Sequence, residues 1–315
     1  MSVRALGKLN APLALTTSFL AVGLLFFVVP YASGYGVRPA TLFDNAWALW
    51  LTFGEWTHGI FVAPLCLGLF FLKRKELAKV PIHGSSWGLL VLFLAGLAYW
   101  FGALADLQYV GFVAVQFFVA GLVIWFLGLR FFGAIFFIWA FLSFAWPFVF
   151  LDQYIAFPLR LILSQVSCHF LSLIGIPTAR VGTAILSAAQ PTLGIAEGQR
   201  FSIDVADPCS GLHSLFALIM ITAIYAIVVL RRWWQILIMI AAAFPLAIFG
   251  NFCRILMLTF GTMFLGQSFA LGSEDNPTWF HTGAGYVVYL AALGGVIALS
   301  WLFLRRRQPE ITETH

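Results

Sequence analysis

Three side chains of this sequence have the chemistry needed for acyl transfer: a cysteine, an arginine and a histidine. Cys209 follows Pro208 and precedes a long apolar run, so we expect it at the start of a helix, where free N–H groups and the helix dipole favour a thiolate. His281 can carry a proton to a leaving amine. Arg254 can stabilise an anionic oxygen or hold a substrate carboxylate. Together these groups suffice for acyl transfer through a thioester.

Each of these residues also has a structural interpretation. Taken alone, Cys209 is more often a packing residue, Arg254 an interfacial anchor and His281 a helix cap. His213 lies one helical turn after Cys209 and competes with His281 for the role of base. We rank His213 second because it would lie deeper in an apolar helix. We expect the other three cysteines to be structural: Cys66, Cys168 and Cys253.

The composition indicates that lipid is the solvent for most of the chain. Of the 315 residues, 62% are hydrophobic and 9% are charged, whereas a soluble domain carries about 25% charged residues. The net charge of +5 is concentrated in short basic clusters between apolar runs, as in cytoplasmic loops. We therefore predict an integral membrane protein without a nucleic-acid partner. No CxxC pair is present, and we expect neither a metal nor a cofactor.

Hydropathy and charge together predict an all-α polytopic membrane protein of about eight transmembrane helices. The predicted spans are 11–30, 57–72, 87–105, 109–129, 131–150, 209–230, 233–250 and 281–304. Placing the basic clusters in the cytoplasm puts both termini there. Two further apolar stretches, 155–176 and 255–272, are then interfacial or re-entrant helices. A ten-span alternative would put Cys209 on the same side as Arg231 and Arg232, and we disfavour it.

This topology places Cys209, Arg254 and His281 together at the outer boundary of the plasma (inner) membrane. The loop 177–208 shows strand-like alternation around a turn at Gly194–Gly198, which predicts a small β-hairpin on the outer face. We interpret residues 1–315 as a single integral membrane domain with a cytoplasmic tail at 305–315.

Four segments, in order, resemble the exosortases and archaeosortases. Residues 207–215 (DPCSGLHSL) resemble the CSGxxSL signature of that family, and residues 251–255 (NFCRI) resemble its NxxRI motif. Residues 281–285 (HTGAG) resemble its histidine-led motif. Residues 57–59 (THG) resemble the SHG segment of bacterial members. One such match alone would be weak, whereas four in the family's order are specific.

The resemblance implies a membrane cysteine protease or transpeptidase. Such an enzyme cuts exported precursors at a C-terminal sorting signal: a short motif such as Pro-Glu-Pro, a transmembrane helix and a basic tail. An envelope polysaccharide or lipid would accept the product. The resemblance implies Cys209 as nucleophile, Arg254 as anion stabiliser and His281 as acid/base. Supporting residues would be His58, Asp204, Asp207, Ser210, His213 and Asn251.

Two of these supporting assignments are more specific. His58 would line the pocket, and Asp204 and Asp207 would orient His281 or Arg254. The alternative class is a non-enzymatic membrane protein, either a transporter or an assembly partner in polysaccharide export. A transporter would be expected to carry charged residues at the bilayer midplane. Here they cluster at one boundary, which favours the enzyme.

Overall fold

The computed structural model describes residues 11–32, 40–52, 56–204, 212–272 and 278–305. Of the described residues, 77% are helical. It divides into two compact units, with the boundary between Phe148 and Val149. Each unit is described by itself below.

The first unit is a set of apolar helices with one short sheet. Its helices are α1 (Ala11–Phe27), α2 (Leu42–Thr52), α3 (Gly59–Leu77), α4 (Trp87–Leu104), α5 (Gln108–Phe126) and α6 (Leu129–Phe141). Strand β1 (Pro30–Ala32) pairs antiparallel with β2 (Ala40–Thr41). Helices α4 and α5 are in extensive contact, and glycines allow their backbones to approach. A Cβ at Gly88 would lie 2.3 Å from the backbone nitrogen of Trp125.

The second unit combines helices with a small antiparallel sheet. Its helices are α7 (Phe157–Leu173), α8 (Leu212–Val229), α9 (Trp233–Leu265), α10 (Gln267–Ala270) and α11 (Trp279–Arg305). Its strands are β3 (Thr178–Val181), β4 (Ala184–Ser187) and β5 (Ser202–Asp204), in the order β3-β4-β5. A core cluster joins α7, the sheet region and α9 through Leu163, Leu171, Ile185, Phe201 and Ile255.

Five helices in the described ranges are long and apolar enough to cross a membrane. They cover Trp87–Leu104, Gln108–Phe126, Asp152–Leu173, Trp233–Leu265 and Trp279–Leu304. Shorter apolar helices cover Thr16–Phe27, Leu129–Ala145 and Leu215–Val229. The multi-pass character is confirmed, while the count of eight stays a prediction. Asp152–Leu173 has the length and composition of a span, so an interfacial position for 155–176 also remains a prediction.

One predicted boundary is wrong. Residues 233–250 and 255–272 were expected to be separate helices, but α9 runs unbroken from Trp233 to Leu265. The prediction assumed that the helix ends where the chain reaches the outer side of the membrane. Nothing between residues 251 and 254 interrupts backbone hydrogen bonding, and the helix absorbs Pro245 within its length. A helix of 33 residues, roughly 50 Å long, exceeds the hydrocarbon thickness of about 30 Å.

The predicted hairpin in 177–208 is confirmed as a small antiparallel sheet, although its turn falls elsewhere. The tight turn lies at Gly182 and Thr183 between β3 and β4, and Gly182 has a φ of +62°. A longer connection leads from β4 to β5. The first unit's small sheet and α2 were not predicted, because, apart from Pro30, they lie between the predicted spans 11–30 and 57–72.

Candidate active site

Arg254 and His281 meet in the second unit. Arg254 lies on α9 and His281 in the first turn of α11, with Nη2 of Arg254 2.9 Å from Nε2 of His281. A guanidinium can only donate, so Nε2 is the acceptor. The imidazole is therefore neutral in this arrangement, with its proton on Nδ1. Because His281 is only 5% exposed, the contact is largely shielded from the surroundings.

Small residues bring the two helices close enough for this contact. A Cβ built on Gly285, one turn after His281, would lie 3.5 Å from Cζ of Arg254. One built on Gly250, one turn before Arg254, would lie 2.8 Å from Cγ1 of Val288. The guanidinium thus lies against the bare backbone of α11. Glycines at a helix contact are typical of membrane proteins, where close packing replaces the hydrophobic drive.

The start of α11 is fixed by a side-chain cap. Oγ1 of Thr278 accepts the backbone N–H of His281 at 3.1 Å and donates to the carbonyl oxygen of Ala270 at 3.1 Å. This satisfies one of the free N–H groups at the helix start. It also ties the end of α10 to the first turn of α11. Thr278 therefore helps to fix the backbone position of His281.

Asn251 lies one helical turn before Arg254 on α9. It is 5% exposed, and its Oδ1 has no hydrogen-bond partner among the described residues. The Nε of Arg254 is likewise buried without a partner in that part of the chain. Buried polar atoms are usually paired, because leaving one unpaired costs about 1–3 kcal/mol. This helix face thus carries one spare acceptor and one spare donor.

The strand leading towards the predicted nucleophile packs beside this pair. Ile203 of β5 forms a buried cluster with Leu258 of α9 and Ala284 of α11. Leu258 is one turn from Arg254, and Ala284 is one turn from His281. Asp204 ends β5, and its Oδ1 accepts the hydroxyl of Thr183 at 2.8 Å. Its proposed orienting effect on His281 or Arg254 stays a prediction.

Several predicted site residues fall outside the described part of the chain. Cys209, Asp207 and Ser210 lie in the segment 205–211, which the structure does not describe. The backbone of His213 belongs to α8, but its side chain is not described. The strand before this segment packs near the pair, because Ile203 of β5 contacts α9 and α11, and the helix after it, α8, packs against α9.

His58 belongs to the first unit. The hydroxyl of Thr57 donates to the carbonyl oxygen of Trp50 at 3.0 Å, and a Cβ at Gly59 would lie 2.3 Å from Nε1 of Trp50. The imidazole of His58 lies 5.9 Å from the ring of Trp56. These contacts explain why a glycine follows His58. A place for His58 in the pocket remains a prediction.

Sequence reasoning missed the positioning residues of the pair. Gly285 stands in the histidine-led motif, but the motif gives this glycine no physical role. Thr278 lies outside all four motifs. A threonine three residues before a histidine at a helix start is a recognisable capping signal. The ion pair of Arg160 with Asp152, at 2.7 Å, was also missed. It links the first turn of α7 to the π-helical turn Asp152–Ala156.

The chain belongs to the transmembrane exosortase family (Exosortase_EpsH), whose model matches residues 50–298. The match spans the Thr57–Gly59 segment as well as Cys209, Arg254 and His281. Comparisons with curated proteins and with solved structures give no significant match.

Membership confirms the resemblance drawn from the four motifs. It supports a multi-pass membrane protein with a general role in processing sorting signals. The family is in general one of membrane cysteine transpeptidases.

Proposed function

We propose that the protein is an exosortase-like cysteine protease or transpeptidase. It acts on exported precursors that carry a C-terminal sorting signal, formed by a short motif such as Pro-Glu-Pro, a transmembrane helix and a basic tail. Cys209 is the nucleophile, Arg254 the anion stabiliser and His281 the acid/base. The product passes to an envelope polysaccharide or lipid acceptor, or to water.

The observation that carries the proposal is the buried contact between Arg254 and His281. Burying a guanidinium against a neutral imidazole among apolar helices costs free energy. A charged residue in such a position therefore indicates a functional role. The unpaired Nε–H of Arg254 can donate to an oxygen that gains negative charge during reaction. The family match, together with the packing of β5 beside this pair, supports Cys209 as the attacking group.

The proposed reaction has two stages. The substrate carbonyl first binds Arg254 in place of Nε2 of His281, which leaves that nitrogen free to accept a proton. The thiol of Cys209 then gives its proton to Nε2, the thiolate attacks the scissile carbonyl carbon, and Arg254 stabilises the resulting oxyanion. The C–N bond then breaks, and the departing amine takes the proton from His281. An amine or water next attacks the thioester, and its proton passes through His281 to the departing thiolate, which regenerates the thiol.

The site is proposed to face the outside of the plasma membrane, with both termini in the cytoplasm. Helix α9 begins directly after Arg231 and Arg232, a pair typical of a cytoplasmic boundary. Arg254 lies roughly 32 Å further along the helix at a rise of about 1.5 Å per residue. That distance is close to the hydrocarbon thickness of about 30 Å. The length of α9 thus supports placing the pair at the opposite boundary.

The test is to co-express the protein with a tagged precursor bearing the sorting signal and to follow its cleavage on a blot. Cys209→Ala is expected to abolish processing. Cys253→Ala is the matched control, because it removes a neighbouring partly buried thiol next to Arg254 and should leave processing unchanged. Continued cleavage in the Cys209→Ala variant would rule out the thioester mechanism.

A further inference from the structure

We propose that Asn251 is a substrate-positioning residue whose Oδ1 accepts a backbone N–H of the precursor beside the cleaved bond. The inference rests on the proposed function and adds a recognition role that the reaction itself does not require. The Oδ1 atom of Asn251 makes no hydrogen bond with the described residues.

The first observation is burial without a partner. Asn251 is 5% exposed, and its Oδ1 makes no hydrogen bond within the described residues. An amide oxygen in this condition lowers the stability of the fold relative to one with a hydrogen-bond partner. A leucine, which has the same branching without polar atoms, would avoid that cost. The amide is therefore explained better by a ligand than by packing.

The second observation is the position of Asn251 relative to Arg254. Residues three apart in a helix are neighbours on its surface. Arg254 keeps a buried Nε–H that is also unpaired in the described chain. Asn251 thus offers an acceptor, and Arg254 a donor, on one stripe of α9. A peptide backbone presents the complementary pair, an N–H and a C=O, along each extended stretch.

The third observation concerns the surroundings. Close to these polar groups on α9, Leu258 is buried in an apolar cluster with Ile203 of β5, and Ile255 is buried in a second apolar cluster. In such a setting an unpaired substrate N–H would lose its water without compensation. A dedicated acceptor removes that penalty. Asn251 would therefore distinguish a correctly placed backbone from a misplaced one.

The experiment combines a change in the enzyme with a change of one atom in the substrate. A precursor that the wild type cleaves is translated with an α-hydroxy acid at one position at a time around the cleaved bond. Each replacement turns one N–H into an ester oxygen. Cleavage rates of wild type and Asn251→Leu are compared on the amide and ester precursors, with Thr222→Val as control. Thr222 is a fully buried hydroxyl on α8 that also lacks a described partner.

At one position the ester should slow the wild type about tenfold, and Asn251→Leu should slow the amide precursor by a similar factor. The ester at that position should bring no further loss in Asn251→Leu. Asn251→Asp, which keeps an acceptor, should remain sensitive to the ester. Thr222→Val should behave as the wild type does.

A structural role for Asn251 would give a different pattern. Asn251→Leu would then slow every precursor by the same factor, and the ester effect would persist in the variant, which would overturn the inference. The same result would follow if no ester position affected the wild type. In both cases loss of cleavage in Cys209→Ala would still uphold the proposed function, so the two failures are distinguishable.

Discussion

Two buried carboxamides, one in each unit, differ in how their polar atoms are used. Gln116 on α5 is 6% exposed and is fully engaged. Its Nε2 donates to the carbonyl oxygen of Trp139 at 3.0 Å, and its Oε1 accepts from Nε1 of Trp146 at 2.5 Å. Asn251 on α9 is 5% exposed, yet its Oδ1 has no described partner. The same chemical group thus performs different tasks at equal burial.

This difference distinguishes a carboxamide that stabilises the fold from one that is available to bind a ligand. Around Gln116, the indole of Trp139 also donates to the backbone carbonyl of residue 116 at 2.9 Å. These polar groups of α5 and α6 are therefore hydrogen-bonded to each other. Such a network holds helices together in a setting without water. Around Asn251 and Arg254, acceptor and donor stay open while the neighbouring His281 is held in place. Open polar atoms beside a fixed pair are what a binding site requires.

The largest loss of activity is expected at Arg254, which has a buried unpaired donor among the described residues. Arg254→Gln removes the charge and the Nε–H that we propose meets the oxyanion. Loss of a donor of this kind lowers turnover by about 100- to 1,000-fold. The measurement is the cleavage rate of the tagged precursor at equal amounts of folded enzyme. Arg180→Gln is the control, because Arg180 contacts the carbonyl oxygen of Gly182 on the sheet. Equal activity in both variants would contradict the role of Arg254.

A second change moves Arg254 without removing it. Gly285→Leu should push the guanidinium away from His281, because a Cβ at Gly285 already lies 3.5 Å from Cζ of Arg254. A displacement of about 1 Å at a reacting group can cost roughly 100-fold in rate. Gly285→Ala should be tolerated, since 3.5 Å is an ordinary contact distance. Gly283→Leu is the matched control, as its Cβ would meet nothing within 4 Å. Normal cleavage by Gly285→Leu would show that the contact with Arg254 is dispensable.

The contrast between Gln116 and Asn251 can be tested by measuring the stability of variants at the two positions. Gln116→Leu should lower the free energy of unfolding by about 1–3 kcal/mol, because it leaves the indole N–H of buried Trp146 unpaired. Asn251→Leu should be neutral or stabilising, because it removes an acceptor that is already unpaired. The measurement is denaturant unfolding in detergent micelles. Equal destabilisation by both variants would mean that Asn251 also serves the fold.

Sequence reasoning reached the class of fold and part of the site for physical reasons. Few charges and long apolar runs require lipid, so the multi-pass architecture could be predicted. Counting spans from the basic clusters predicted Arg254 and His281 at one membrane boundary, and the structure brings the two side chains into contact. The unbroken helix α9 could not be predicted from charge, because a helix does not have to end at a membrane boundary. The contact of Gly285 with Arg254 depends on the register of two helices, which the sequence does not state.

The smallest effect concerns the cap of α11. Thr278→Val removes the oxygen that accepts the N–H of His281 and the hydroxyl that donates to Ala270. Loss of such a cap costs about 1 kcal/mol of stability. Thr278→Ser should keep both bonds and restore the wild-type value, as measured by the midpoint of thermal unfolding. Because His281 is also held by Arg254, we expect cleavage to fall by only a few-fold in Thr278→Val. If Thr278→Ser lost as much stability as Thr278→Val, packing of the methyl group rather than capping would fix the start of α11.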